Sequence, residues 1–100
     1  MNKKFLDIIT HYGVMPQLKY FQSEVFELNE AIIEAEEFKR FNDRYNMFNF
    51  QNIAEEIADV VVMLKQLQHY YNISDEQIMK NIDYKVERQL NRIKEEKNGN

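Results

Sequence analysis

The sequence IAEEIADVVVML, residues 53–64, decides the fold of this chain. Apolar side chains recur in it at the three- and four-residue intervals of a helix, and from Ile57 to Leu64 they cover nearly the whole circumference. A helix that is apolar on every side is expected at the centre of a protein. The pattern continues to Tyr71, and we expect this central helix to begin near Asn49.

Helices are also predicted before the central one. The 100 residues include two glycines and one proline, and no stretch alternates between apolar and polar residues, so we expect no strands. Gly13 should end a first helix over residues 2–11. The first turn of a helix tolerates proline, so Pro16 should lie at the start of a second helix. This helix should run to about Arg40 and be followed by a loop over residues 41–46.

A fourth helix is predicted after the central one. Ser74 and Gln77 have the S-x-x-Q spacing of a capping box, and the helix they open should reach about Glu96. We expect residues 1–97 to form a single domain and residues 98–100 to be a frayed tail. The predicted fold class is all-α, an antiparallel bundle of about four helices. Because the chain is short, it buries a thin core. We therefore expect oligomerisation to a homodimer or homotetramer to complete the bundle.

Composition limits the class of partner. The formal net charge of −4 is unlike the clustered positive field that neutralises a long nucleic acid. The absence of cysteine excludes disulfides, thiolate nucleophiles and cysteine-ligated metals. No signal peptide or membrane span is predicted, so we expect no membrane partner and a cytoplasmic location.

Four acidic residues form the first candidate site. Glu24 and Glu27 are three residues apart on the second helix, and Glu56 and Asp59 are three apart on the third, so each pair shares a face. Packing of the two helices can bring the pairs together. Four close carboxylates repel unless a cation lies between them, and a hard ion such as Mg²⁺ prefers oxygen ligands.

The alternative is that these are ordinary surface acids, which are common at this spacing. Their neighbours favour a site, since Met63 lies one turn beyond Asp59, and Glu24 shares a face with Leu28. Two further acids could either support the site or lie on the helix surface: Glu30 and Glu55. An acidic run at the end of the second helix is interpreted as solvated: Glu34, Glu36 and Glu37.

A cationic stripe on the fourth helix is the second candidate site. Asn81, Lys85, Arg88 and Arg92 lie at positions i, i+4, i+7 and i+11, on one helix face. Arg offers a bidentate fork and Lys a mobile charge, both suited to substrate phosphates. The alternative is pairing with acids of the same solvated helix.

Other polar and aromatic residues give weaker signals. His11 and His69 lack the Glu-x-x-His spacing of di-iron bundles and the spacing of zinc sites, so we expect structural roles and no ferritin-like oxidase. Tyr45, Phe48 and Phe50 are candidates for stacking on a base, although core packing is the alternative.

The acidic motifs resemble a known family. SEVFE at residues 23–27 and EIAD at residues 56–59 are similar to the E-E-x-x-E and E-x-x-D signature of the MazG-like all-α nucleotide pyrophosphohydrolase superfamily. The resemblance runs from about His11 to Arg88. Ser23 departs from it, because this residue stands where the signature has its first glutamate.

This resemblance implies a reaction and a cofactor. A nucleoside triphosphate would be hydrolysed at the α–β phosphoanhydride to the monophosphate and pyrophosphate, with Mg²⁺, or Mn²⁺ in its place, held by the four acids. Lys85, with Asn81 and Arg88, would face the phosphates. The alternative function is a degenerate, non-catalytic module for nucleotide binding or dimerisation, since Ser23 lacks a carboxylate. The preferred base and sugar remain open.

Overall fold

The computed structural model describes residues 3–42 and 47–99, except the side chains of residues 38–42 and 47–51. This part of the chain is helical and contains no strand, which confirms the predicted all-α class. In chain order the helices are α1 (Lys4–Tyr12), α2 (Val14–Asn42), α3 (Met47–Tyr70) and α4 (Asp75–Gly99).

Gly13 separates α1 from α2, as predicted. Its φ of 92° lies in the left-handed region, and its N–H donates a 2.8 Å hydrogen bond to the Ile9 carbonyl. Pro16 lies in the first turn of α2, which begins at Val14. The N–H groups of a first turn have no acceptor within the helix, so the N–H that proline lacks costs no hydrogen bond there. The predicted loop over residues 41–46 falls largely on residues 43–46, outside the described residues.

The turn between α3 and α4 is closed by local hydrogen bonds. Asn72 adopts a φ of 55°, and the Ile73 N–H donates to the Gln68 carbonyl at 2.9 Å. The predicted capping box is confirmed, because the Ser74 N–H donates to Gln77 Oε1 at 2.9 Å and the Gln77 N–H donates to Ser74 Oγ at 3.1 Å. The helix that follows continues to Gly99, past the end predicted near Glu96.

The core lies where α1, α2 and α3 pack together. Ile9 and Met63 are its most completely buried apolar side chains, and Ala31 and Ala35 allow close approach along α2. Helix α3 is the central helix, as predicted, because α1 and α2 each contact α3 more extensively than they contact each other.

Burial of α3 on every side was a wrong expectation for the single chain. Ile57, Val61 and Leu64 are 44–49% exposed, on the side of α3 that faces away from the core. The apolar residues of α3 therefore form two surfaces. One surface packs within the chain, and the other is exposed.

Helix α4 does not join the bundle of its own chain. In the described part of the chain it makes no close backbone contact with α1, α2 or α3, and none of its residues is buried. It is anchored at its first turn, where Asp75 accepts hydrogen bonds from Lys65 at 3.0 Å and from Gln68 at 2.7 Å. The predicted four-helix bundle is thus three packed helices and one projecting helix within one chain.

Among the residues described, no helix combines the length and the apolar character needed to cross a bilayer.

Candidate metal centre

Three of the four predicted acids converge. Glu24 and Glu27 come from α2 and Glu56 from α3, and one carboxylate oxygen from each lies within 4.8 Å of the others. Packing of α2 on α3 creates this arrangement, because each helix presents the acids on the face that meets its neighbour. These three carboxylates could hold a metal ion.

Burial makes this cluster unlike an ordinary acidic surface. Glu24 is 4% exposed, and the Oε2 atoms of Glu24 and Glu56 are both buried without a hydrogen-bond partner. A buried carboxylate oxygen that accepts no hydrogen bond is unfavourable, because it has lost water and gained nothing in return. A cation between the two oxygens would offset that cost.

The ionisation of Glu56 reflects the same crowding. Burial raises the pKa of Glu56 above its ordinary value, and the negative charges of Glu27, Asp59, Glu24 and Glu55 raise it further. Loss of the Glu56 proton is therefore less favourable in the cluster than for an isolated glutamate.

Tyr20 fixes one member of the cluster, a contact that the sequence analysis missed. Hydrogen bonding of its hydroxyl with the Glu24 carboxylate, followed by the charge of Glu24, raises the pKa of Tyr20. Tyr20 lies one turn before Glu24 on α2, so the i, i+4 spacing was the available signal.

Asp59 lies at the edge of the cluster. It is exposed, and it is not one of the three residues whose oxygens converge. Its charge nevertheless raises the pKa of both Glu56 and Tyr20, so it is close to each. Asp59 also contributes to the wall of a neighbouring cavity.

This cavity, of about 530 Å³, opens between α1, α2 and α3. Its walls are mainly apolar and aromatic, and its polar groups are two glutamine amides, two tyrosine hydroxyls and one carboxylate. It is lined by Ile8, Tyr12, Pro16, Gln17, Tyr20, Asp59, Val62, Met63 and Gln66. No local pattern predicted this cavity, because its lining comes from three helices.

The predicted cationic stripe is intact but stands apart from the acids. Lys85, Arg88 and Arg92 are exposed on α4, which does not pack on α2 or α3. Arg88 lies over the Tyr84 ring at 5.7 Å, and Asn81 Nδ2 donates to the Gln77 carbonyl at 2.8 Å. A single chain therefore does not bring the stripe onto the acids.

The alternative interpretation of the stripe is pairing with acids of its own helix. Within residues 3–42 and 47–99 no ion pair joins the stripe to its neighbouring acids, although these are present on α4: Glu87, Glu95 and Glu96. The charge of the stripe thus remains available to a ligand or to another chain.

The remaining candidates fall outside the cluster. His69 packs against Phe5 with ring centroids 5.5 Å apart, and His11 against Tyr12 at 4.6 Å. Tyr45 lies outside the described residues, as do the side chains predicted to stack with it: Phe48 and Phe50. The acids predicted to be solvated, or left open, are exposed where described: Glu30, Glu34, Glu36, Glu37 and Glu55.

Comparisons with family models, curated proteins and solved structures found no match to this chain. The fold and the site themselves define an all-helical protein with a partly buried carboxylate cluster that could hold a metal ion.

Proposed function

We propose that this protein is a Mg²⁺-dependent nucleoside triphosphate pyrophosphohydrolase, which releases a nucleoside monophosphate and pyrophosphate by attack of water at the α–β phosphoanhydride. The observation that carries the proposal is the pair of buried, unpartnered oxygens on Glu24 and Glu56, with Glu27 beside them. The similarity of residues 23–27 and 56–59 to the MazG-like signature supplies the reaction class.

The ligand set favours a hard cation. The candidate cluster offers carboxylate oxygens alone, and neither His11 nor His69 belongs to it. Oxygen ligands suit Mg²⁺, and Mn²⁺ as its substitute, whereas zinc and di-iron sites use nitrogen or sulfur donors as well. Asp59, at the edge of the cluster, would be a fourth ligand of the ion.

Bound Mg²⁺ would polarise phosphoryl oxygens and increase the acidity of a coordinated water. The chain's own residues then have separate tasks. Tyr20 holds the Glu24 carboxylate in place through its hydroxyl. Lys85, Arg88 and Arg92 would bind the pyrophosphate that leaves, where positive charge stabilises the negative charge that develops. Asn81 would assist as a neutral donor.

A second copy of the chain is part of this proposal. The exposed apolar residues of α4 repeat at helical spacing, and the first two of them, Met79 and Ile82, line a groove of about 470 Å³ together with residues of α3. These residues of α4 are Met79, Ile82, Val86, Leu90 and Ile93. Burial of such a stripe against the same stripe of another copy is the usual route to a homodimer, which can pair further into a homotetramer.

Association would also join the two halves of the site. Within the described part of the chain, no ion pair involves the cluster of Glu24, Glu27 and Glu56 or the stripe on α4, so α4 of a second copy would complement the cluster. We propose that the stripe reaches substrate phosphates across this interface, in a cytoplasmic oligomer that binds no long nucleic acid or membrane.

The alternative is a non-catalytic helical module that binds nucleotides or dimerises without turnover. Ser23 favours it, because its exposed hydroxyl replaces the first acid of the signature. Release of pyrophosphate from a panel of ribo- and deoxyribonucleoside triphosphates, with Mg²⁺, Mn²⁺ or EDTA, separates the two. The hydrolase should form product with a metal and lose this activity in EDTA. If no substrate gives a product, the non-catalytic module is the function that the result supports.

A further inference from the structure

We propose that Asp75 is a positioning residue, which fixes the direction of α4 and thereby sets where the cationic stripe of this helix lies. The inference rests on the proposed function for the task of the stripe, which is to bind phosphates. It assigns a role to a carboxylate that belongs neither to the acidic cluster nor to the stripe.

The direction of α4 depends on the contacts of its first turn. Among the described residues, α4 makes no close backbone contact with α1, α2 or α3, and none of its residues is buried. Beyond the first turn, an apolar groove of about 470 Å³ lies between the two helices, lined by Met79 and Ile82 of α4 and by Val61 and Leu64 of α3. A helix held in this way takes its orientation from the contacts at its start.

Three side chains at that start form a closed set of hydrogen bonds, the α3–α4 joint: Lys65, Gln68 and Asp75. Asp75 Oδ1 accepts from Gln68 Nε2 at 2.7 Å and from Lys65 Nζ at 3.0 Å, and Lys65 Nζ also donates to Gln68 Oε1 at 3.3 Å. Gln68 Nε2 donates in addition to the Ile73 carbonyl at 3.0 Å, so one amide holds both the turn and the first residue of α4. Each member contacts the other two, so loss of one weakens the remaining contacts.

A buried amide distinguishes the joint from an ordinary surface ion pair. The side chains of Lys65 and Asp75 are 36% and 77% exposed, and a pair of that kind contributes little by itself. Gln68, however, is 8% exposed, and its amide nitrogen donates to two acceptors across the turn. The hydrogen bond from Gln68, followed by that from Lys65, holds the pKa of Asp75 below its ordinary value, so these contacts favour the charged carboxylate.

The length of α4 amplifies any tilt at the joint. At about 1.5 Å per residue, Arg92 lies about 25 Å beyond Asp75, so a tilt of about 15° moves it by about 6 Å. A charge-assisted hydrogen bond to a phosphate oxygen tolerates far less, since it requires a separation of about 2.7–2.9 Å. The stripe therefore meets a bound triphosphate when the joint holds α4 in one direction.

A distance measurement tests the joint without any substrate. The chain has no cysteine, so Lys19→Cys on α2 and Lys94→Cys on α4 introduce a unique pair of sites for spin labels. Labelled chains are diluted into excess unlabelled protein, so that double electron–electron resonance records distances within one chain. Asp75→Ala should move or widen the distance distribution by about 5 Å or more, as expected near the end of α4 for such a tilt.

Glu76→Ala is the matched control, because it removes the other carboxylate from the first turn of α4. Its distance distribution should equal that of the labelled protein without further change. Lys65→Met should reproduce the effect of Asp75→Ala, and the two substitutions together should change the distribution no further, because both act on one set of contacts. An unchanged distribution in Asp75→Ala, or the same change in Glu76→Ala, would overturn the role of the joint.

The consequence for phosphate binding is tested by calorimetry with Mg-pyrophosphate as the probe. Asp75→Ala should weaken binding about tenfold, as expected for the loss of one charge-assisted hydrogen bond. Arg88→Ala should weaken binding much less in the Asp75→Ala background than in wild type, because the arginine is then already misplaced. Independent, additive effects of the two substitutions would overturn the positioning role, as would a smaller bound fraction at unchanged affinity, which is what loss of folded protein gives.

These measurements keep the inference distinct from the proposed function. If wild type hydrolyses no triphosphate, but Asp75→Ala changes the distance distribution and weakens pyrophosphate binding, the hydrolase proposal fails and the positioning role stands. If wild type is active and Asp75→Ala alters neither the distance nor the binding, the hydrolase stands and the positioning role is removed.

Discussion

Gln17 on α2 donates a buried 2.8 Å hydrogen bond to Gln66 on α3, 49 residues further along the chain. Both side chains contact Met63, and the bond joins the N-terminal end of α2 to the C-terminal end of α3. It joins the floor of the cavity to the same pair of helices that carries the acidic cluster. The pair therefore links the packing of the two helices to the wall of the cavity.

The first prediction concerns that link. Gln66→Leu should lower the free energy of unfolding by about 1–3 kcal/mol, because the buried Gln17 amide loses its strong acceptor. Urea denaturation monitored by circular dichroism measures the change. Gln22→Leu, at an exposed position of the same helix as Gln17, should stay within about 0.5 kcal/mol of wild type. Equal stability of all three proteins would show that the bond contributes nothing.

The second prediction tests the ligand assignment. Glu56→Gln and Asp59→Asn should each abolish release of pyrophosphate while the helical signal in circular dichroism is kept, because each removes a charge from the proposed metal site. Glu34→Gln, an exposed acid of α2 away from the cluster, serves as the control and should remain active. Full activity of purified Glu56→Gln would refute the assignment.

The third prediction concerns metal binding by Glu24. Saturating Mg²⁺ should raise the melting temperature of wild type, since a ligand at about 100 times its Kd stabilises a fold by about 2.7 kcal/mol. Glu24→Gln should lose this gain, because it removes a carboxylate with a buried, unpartnered oxygen. Melting curves in Mg²⁺ and in EDTA provide the measurement, and a metal response retained by Glu24→Gln would contradict the site.

The fourth prediction is a pH dependence without metal. Because burial and neighbouring charges raise the pKa of Glu56 in the folded protein, its ionisation destabilises the fold above that pKa. In EDTA at pH 7, Glu56→Gln should therefore melt at a higher temperature than wild type. The difference should shrink as the pH falls through the raised pKa and vanish below the ordinary value of 4.5.

The measurement for this prediction is a series of melts from neutral to acidic pH, with Glu34→Gln as the control for general loss of negative charge. A wild type that is more stable than Glu56→Gln throughout would mean that another group stabilises the Glu56 carboxylate. The crowding of the acids would then not be the dominant effect.

The fifth prediction tests whether the site is shared between copies. Glu56→Gln removes an acid of α3, and Arg88→Ala removes a cation of α4. Each variant by itself should be nearly inactive. If α4 of one copy completes the acidic site of another, mixing the two variants and allowing their subunits to exchange should restore about a quarter of wild-type activity. In a mixed dimer, one of the two sites then contains neither altered residue. No restoration, despite mixed oligomers in native mass spectrometry, would place both residues in one chain's site.

Local sequence determined most of the secondary structure. The apolar spacing of α3, the Ser74 and Gln77 capping box and the left-handed Gly13 involve residues within a few positions of each other, so their outcome could be predicted without the fold. The pairing of acids at i, i+3 on α2 and on α3 was equally local, and it identified the residues from which the cluster is built.

Tertiary packing alone decided the rest. It brought Glu24, Glu27 and Glu56 within 4.8 Å and left Asp59 at the edge, a distinction that depends on how α2 rotates against α3. It also buried the unpartnered oxygens, assembled a cavity from three helices and left α4 unpacked. Helical periodicity shows that a face is apolar or acidic, but the partner of that face is set by contacts between residues far apart in the chain, and no local pattern encodes them.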